Sequence, residues 1–207
     1  MGGILRMTTP SVSDLLRQNR EWSAQTKERD PEFFTRLAAQ QNPKFLWIGC
    51  SDSRVPANQI TGLVPGQIFV HRNVSNIAHP TDVNLMSVLE YAVDVLQVEE
   101  VLIVGHYGCG GIKAALAGRL PGIADFWLEP IRELRRKRIK QLAGLEGSAL
   151  EDRVCELNVM DQVETLSHSG IVQGAWERGQ KLAIHGWVYS LDDGIIKDLG
   201  VSQDRQP

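Results

Sequence analysis

Three short apolar runs constrain this chain more than any other feature: FLWIGC at 45–50, QIFVHR at 67–72 and EEVLIVGH at 99–106. Each is bounded by turn residues and lacks the alternation of a strand with one wet face, so each reads as a strand buried on both sides. Between the second and third lies DVNLMSVLEYAVDVL, residues 82–96, with helical spacing and a heavily apolar face. Strand, helix, strand at this spacing is the signature of a parallel sheet covered by helices. Helices are expected over 11–27 and in PEFFTRLAAQ before the first strand, and near 111–117, 123–143 and 149–167 and in IVQGAWERG after the third. KLAIHGWVYSLDDGIIKDL closes the chain, its two runs flanking the hairpin signal Asp-Asp-Gly. At 207 residues, with no repeats or linkers, one domain is expected over 1–207: a helical arm at 1–40, a core at 41–120, and helices with a hairpin at 121–207.

Two of these strands end in residues that carry chemistry. Cys50 and Asp52 follow the first, and His106 and Cys109 follow the third. In open parallel sheets ligands collect outside the carboxyl ends of strands, so neighbouring strands would bring all four together. Two thiolates and an imidazole suit a tetrahedral zinc ion. Neither Cys-x-Asp nor His-x-x-Cys says much alone; their shared position after buried strands gives the pair its weight. The glycines of GHYGCGG, 105–111, let the backbone turn tightly around an ion.

Charge and cysteine usage exclude other classes. A formal net charge of −3 and a pI near 6.0 provide no basic field for nucleic acid, and the dense run RELRRKRIK at 132–140 reads as a solvated helix face. No stretch reaches the ~20 apolar residues of a membrane span, and MGGILRMTTP lacks signal-peptide features, so a cytoplasmic protein is expected. Three cysteines do not make a secreted disulfide framework. Cys155 reads as a buried free thiol on a helix. His71, His79, His168 and His185 lack partners at ligand spacing, His79 being the nearest to a proton shuttle.

The segments CSDSRV (50–55), FVHRNV (69–74), EYAV (90–93) and GHYGCGG resemble the β-class carbonic anhydrases, and WERGQKL and HGWVY extend the likeness toward the C-terminus. The resemblance implies an α/β fold: a central, mostly parallel sheet of four strands plus an edge strand, flanked by helices, with an N-terminal helical arm. It implies one Zn2+ per chain on Cys50, His106 and Cys109, with Asp52 and Arg54 paired beside it. The implied reaction is reversible hydration of CO2 to bicarbonate by zinc-bound hydroxide, in a homodimer or homotetramer. By position, Gln41 matches an amide holding substrate oxygen across the dimer interface, Phe69, Val74 and Tyr91 the CO2 pocket, and Gly110 a backbone donor. Asp52 can also serve as a fourth metal ligand in a closed state. Trp47, Arg72 and Tyr189, with Val55 nearby, match the bicarbonate site of the regulated (type II) bacterial subclass. Two rivals remain: a CS2 or COS hydrolase on the same fold, and a zinc-binding sensor without turnover.

Overall fold

The computed structural model of the chain describes residues 9–204. It forms two compact units, one ending at Gln41 and one beginning at Asn42. The first contains α1 (Val12–Arg29) and α2 (Phe33–Ala39). Helix α1 starts at a capping box, in which Ser11 Oγ accepts the Asp14 N–H at 3.2 Å and the Asp14 carboxylate accepts the Ser11 N–H at 3.0 Å. Trp22 meets Phe34 edge-on, with ring centroids 5.6 Å apart. Neither helix has a fully buried residue.

The second unit is built on a sheet of order β2-β1-β3-β4-β5, formed by β1 (Phe45–Cys50), β2 (Ile68–Asn73), β3 (Glu100–His106), β4 (Ala183–Tyr189) and β5 (Ile196–Asp198). The first four strands are parallel and β5 is antiparallel. This matches the expected four strands plus an edge strand, with one addition: the two-residue β6 (Gln203–Asp204) also pairs with β4. Two residues carry too little pattern to be read as a strand. Strands β1 and β3 are buried almost throughout and β4 alternates buried and half-buried positions, whereas β2, expected to be buried on both sides, lies at the sheet edge with only Ile68 and His71 buried.

One sheet face packs Leu46, Ile48, Val101, Ile103, Ile184 and Val188 into the main core beneath α4 (Val83–Glu90) and α8 (Gly147–Ser167). The other packs Trp47, Ile68, Leu102 and Val104 against Val55 and Ala57 in a thinner layer. Glycines on β3 and β4 bring α8 close: a Cβ at Gly105 would stand 2.7 Å from Val159, and one at Gly186 would stand 3.0 Å from Val163. Among the described residues no helix is long and apolar enough to cross a membrane.

Helical structure departs from the sequence expectations at three places. The 123–143 stretch is not one helix: α6 (Ile123–Trp127) ends at Leu128, α7 (Glu129–Lys137) follows, and a 3-10 turn occupies Ile139–Gln141. Pro130 has no N–H to continue the first helix and suits the first turn of the next. The 82–96 helix widens after α4 into a π segment, Tyr91–Val95, where Leu96 N–H reaches Tyr91 O at 3.0 Å. A helix not anticipated, α3 (Ala57–Thr61), stops at Gly62 with φ +68; five residues are too few for helical periodicity to register.

Candidate metal centre

The chain runs from β1 outward to β2, then returns past β1 to β3. The carboxyl ends of β1 and β3 therefore flank the topological switch point. Cys50 is the last residue of β1, His106 the last of β3, and Cys109 the N-cap of α5 (Gly110–Ala117). Their ligand atoms all lie within 4.8 Å of one another, and all three residues are buried. Gly108, with φ +67, makes the turn that brings Cys109 back toward His106.

The donor set fits a tetrahedral cation. The Cys50 and Cys109 sulfurs are 3.9 Å apart, and two sulfurs each 2.3 Å from a tetrahedral zinc lie about 3.8 Å apart. His106 Nδ1 donates to the Tyr107 carbonyl at 3.0 Å, leaving Nε2 as the free ring nitrogen, buried and without a hydrogen-bond partner. A buried polar atom left unpaired costs free energy that a ligand bond can recover. The thiols also behave as a pair. The Cys50 hydrogen bond holds the Cys109 thiol far below its ordinary range, and the same contact, reinforced by burial, pushes Cys50 up. Two thiolates at this distance cannot both persist without a cation between them. Burial disfavours the charged His106 ring, but the nearby Cys109 sulfur and its charge, with the Tyr107 carbonyl and the Asp52 carboxylate, outweigh it and raise its pKa.

Asp52 is turned to Arg54. Arg54 donates to its carboxylate from Nε at 2.9 Å, from Nη2 at 2.7 Å and from the backbone N–H at 2.9 Å. These bonds hold the Asp52 carboxyl well below the usual carboxylate range. Its Oδ2 is 3.7 Å from His106 Nε2, outside the three-ligand cluster but beside it.

The other expected residues fall into separate places. Phe69 and Tyr91 are in ring contact at 5.9 Å, and Tyr91 opens the π segment, a distortion frequent at functional sites. Val74, half exposed, lies against Gly111, next to Gly110 in the first turn of α5. Gln41 belongs to the N-terminal unit. Trp47, Val55 and Tyr189 share the thinner apolar layer. Arg72 pairs in register with Gly49 and donates to Cys50 O at 2.8 Å and to Asp52 O. The Trp47 Nε1–H is buried with no acceptor.

Among the histidines, His79 accepts or donates at Thr81 Oγ1, 2.8 Å away, and His185 bridges Glu100 and Ser202. Cys155 is a buried free thiol. Ser75, fully buried with its Oγ 3.5 Å from Cys109 Sγ, was not anticipated. Its place in the FVHRNV-Ser-Asn segment was the available signal, but its contact depends on a backbone turn.

An open α/β sheet with two cysteines and a histidine converging at its switch point makes a candidate metal site, and comparison with known proteins gives its class. The sequence pattern of the family described as "Carbonic anhydrase" matches residues 45–196. A carbonic anhydrase of Emericella nidulans is 44% identical over 199 residues, covering 96% of this chain and 87% of the relative. A Coccomyxa β-carbonic anhydrase solved with acetazolamide superposes with a TM-score of 0.88 at 42% identity, covering 92% of this chain and 87% of that one. One of two tetrameric β-carbonic anhydrases from Sordaria macrospora gives 0.88 at 38% identity, over 93% and 98% of the two chains.

The chain belongs to the carbonic anhydrase family, in its β class. It is accordingly a lyase whose reaction is the reversible hydration of carbon dioxide.

Proposed function

We propose that Cys50, His106 and Cys109 hold one zinc ion per chain and that Asp52 and Arg54 manage the proton of the attacking water. The observation that carries this reading is His106 Nε2, buried and unpaired beside two sulfurs 3.9 Å apart. Zinc bound there would supply the Lewis acidity that makes water nucleophilic near neutral pH, more weakly than at a three-imidazole site because two thiolates would cancel the ion's charge.

That weakness gives Asp52 its task. Its carboxylate, kept ionised by Arg54, only accepts hydrogen bonds, so it fixes the O–H of the reacting water and turns a lone pair toward the CO2 carbon. Phe69, Val74 and Tyr91 offer CO2 an apolar surface. The Gly110 N–H and the Gln41 amide, the latter from a second copy in a homodimer or homotetramer, hold its oxygens. Three free cysteines suit a reducing compartment, for which we propose the cytoplasm.

A second layer of the proposal concerns control by bicarbonate. The buried Trp47 Nε1–H lacks an acceptor, and Arg72 spends its guanidinium on the carbonyls of Cys50 and Asp52. An anion accepting from Trp47, Arg72 and Tyr189 would compete for those bonds, free the turn around Asp52 and Val55, and let Asp52 leave Arg54 for the metal. The test is CO2 hydration against pH, with and without bicarbonate, for the wild type and Trp47→Ala. Bicarbonate should depress the wild type most at the acidic end and leave the variant unaffected; identical profiles would sink the regulatory reading.

A further inference from the structure

Helix α8 packs on the sheet, where apolar side chains are the stable choice, yet polar groups share its buried face, three of them in one stripe. Cys155, Asn158 and Gln162 are three and four residues apart, one stripe of a helix. The Cys155 thiol donates to His106 O at 3.2 Å. Asn158 Nδ2 donates to Ser75 O at 3.0 Å. Gln162 Nε2 donates to Asn158 Oδ1 at 3.1 Å, and Gln162 Oε1 accepts the Ala78 N–H at 2.8 Å.

The residues on the receiving end need such support. Ser75 and Asn76 have φ values of +64 and +46, a region that non-glycine residues occupy at a cost. This turn aims Ser75 Oγ at Cys109 Sγ, 3.5 Å away. Gly111 clears the space, since a Cβ there would lie 2.0 Å from Ser75 Oγ. A buried polar chain is costly unless its members are satisfied; the one from Gln162 through Asn158 to Ser75 ends at a ligand sulfur, and Cys155 separately holds the backbone of a ligand histidine.

We propose that Ser75, Asn158 and Gln162, with Cys155 beside them, are positioning residues through which α8 holds both halves of the metal seat. The inference rests on the reading that Cys50, His106 and Cys109 ligate the ion. Ser75 places a hydroxyl donor on the Cys109 sulfur, Asn158 and Gln162 fix the turn that carries Ser75, and Cys155 fixes the carbonyl of His106. Partners behind a metal's ligands typically alter its affinity by about 10–100-fold.

The test is cobalt(II) substitution of the full chain, reading the thiolate-to-metal charge-transfer band together with metal loss to a competing chelator. Ser75→Ala removes only the hydroxyl. Its band should move to lower energy, because a thiolate without its donor gives up charge more readily, and its metal affinity should fall about 10-fold. Asn158→Leu, which keeps the volume, should change both readouts in the same direction. If both variants keep the wild-type band and affinity, the network is packing alone and the inference is overturned. Should Asn158→Leu fail to fold by circular dichroism, Ser75→Ala decides by itself. A wild-type chain with no thiolate band would instead overturn the ligand assignment, and the inference with it.

Discussion

Gly49 leaves no room for a side chain: a Cβ there would stand 2.1 Å from Trp47 Nε1. Gly49→Ala should therefore displace the indole, cost about 1–3 kcal/mol in denaturant unfolding, and abolish any response of CO2 hydration to bicarbonate. A variant as stable and as responsive as the wild type would refute this placement of Trp47. Asp52→Asn should lower kcat by about 10²–10⁴-fold while the protein still retains its metal, measured by stopped flow beside metal content. At this scale Cys50, His106 and Cys109 were legible because their side-chain chemistry and their position after buried strands agree. Ser75 was not, because its contact with Cys109 follows from a left-handed backbone that no local pattern specifies. The roles expected of Gln41 and Tyr189 come only from resemblance; neither has a periodicity or spacing of its own that points to a site.

Elements are held by close approaches as much as by apolar area. Gly105→Ala would put a Cβ 2.7 Å from Val159 and 3.1 Å from Cys155, prising α8 from β3. The expected result is a loss of about 1–3 kcal/mol in unfolding free energy, with metal affinity falling because α8 also supports the ligand loops. The junction of α6 and α7 behaves differently. Asp125 accepts the Leu120 N–H at 2.8 Å and pairs with Arg119 and Arg132, which draws its carboxyl down to about 2 from 3.8. A depressed carboxyl stabilises the fold above its unfolded pKa, and that contribution disappears as pH falls through the folded value. The Tm difference between wild type and Asp125→Asn should thus be steady near neutrality, shrink below pH 3.8 and vanish under about pH 2. This break was hidden in the sequence because amphipathic spacing continues across Leu128, and only Pro130 marks the restart.

The sheet order is what makes the whole molecule an enzyme of this kind. The apolar runs marked three strands, of which β1 and β3 are buried and β2, at the sheet edge, is not; their neighbours follow from long-range pairing that no single segment encodes, and the family motifs implied the number of strands but not their order. Val83 and Phe126, both highly exposed, line one surface groove, and Ile123 lies nearby in sequence and is 87% exposed. We propose that this apolar groove contributes to the contact between copies of the chain. Sedimentation should accordingly find dimers or tetramers, shifted toward smaller species by Phe126→Asp; a monomer at micromolar concentration would contradict the expectation. On the proposed reading, the Cys50–His106–Cys109 seat, filled by zinc, hydrates CO2 with Asp52 and Arg54 beside it. Stopped-flow CO2 hydration on protein of measured zinc content decides it. One zinc per chain with turnover rising toward alkaline pH, and both lost in Cys109→Ala, is the predicted result; a zinc-replete chain inert across that range would contradict it.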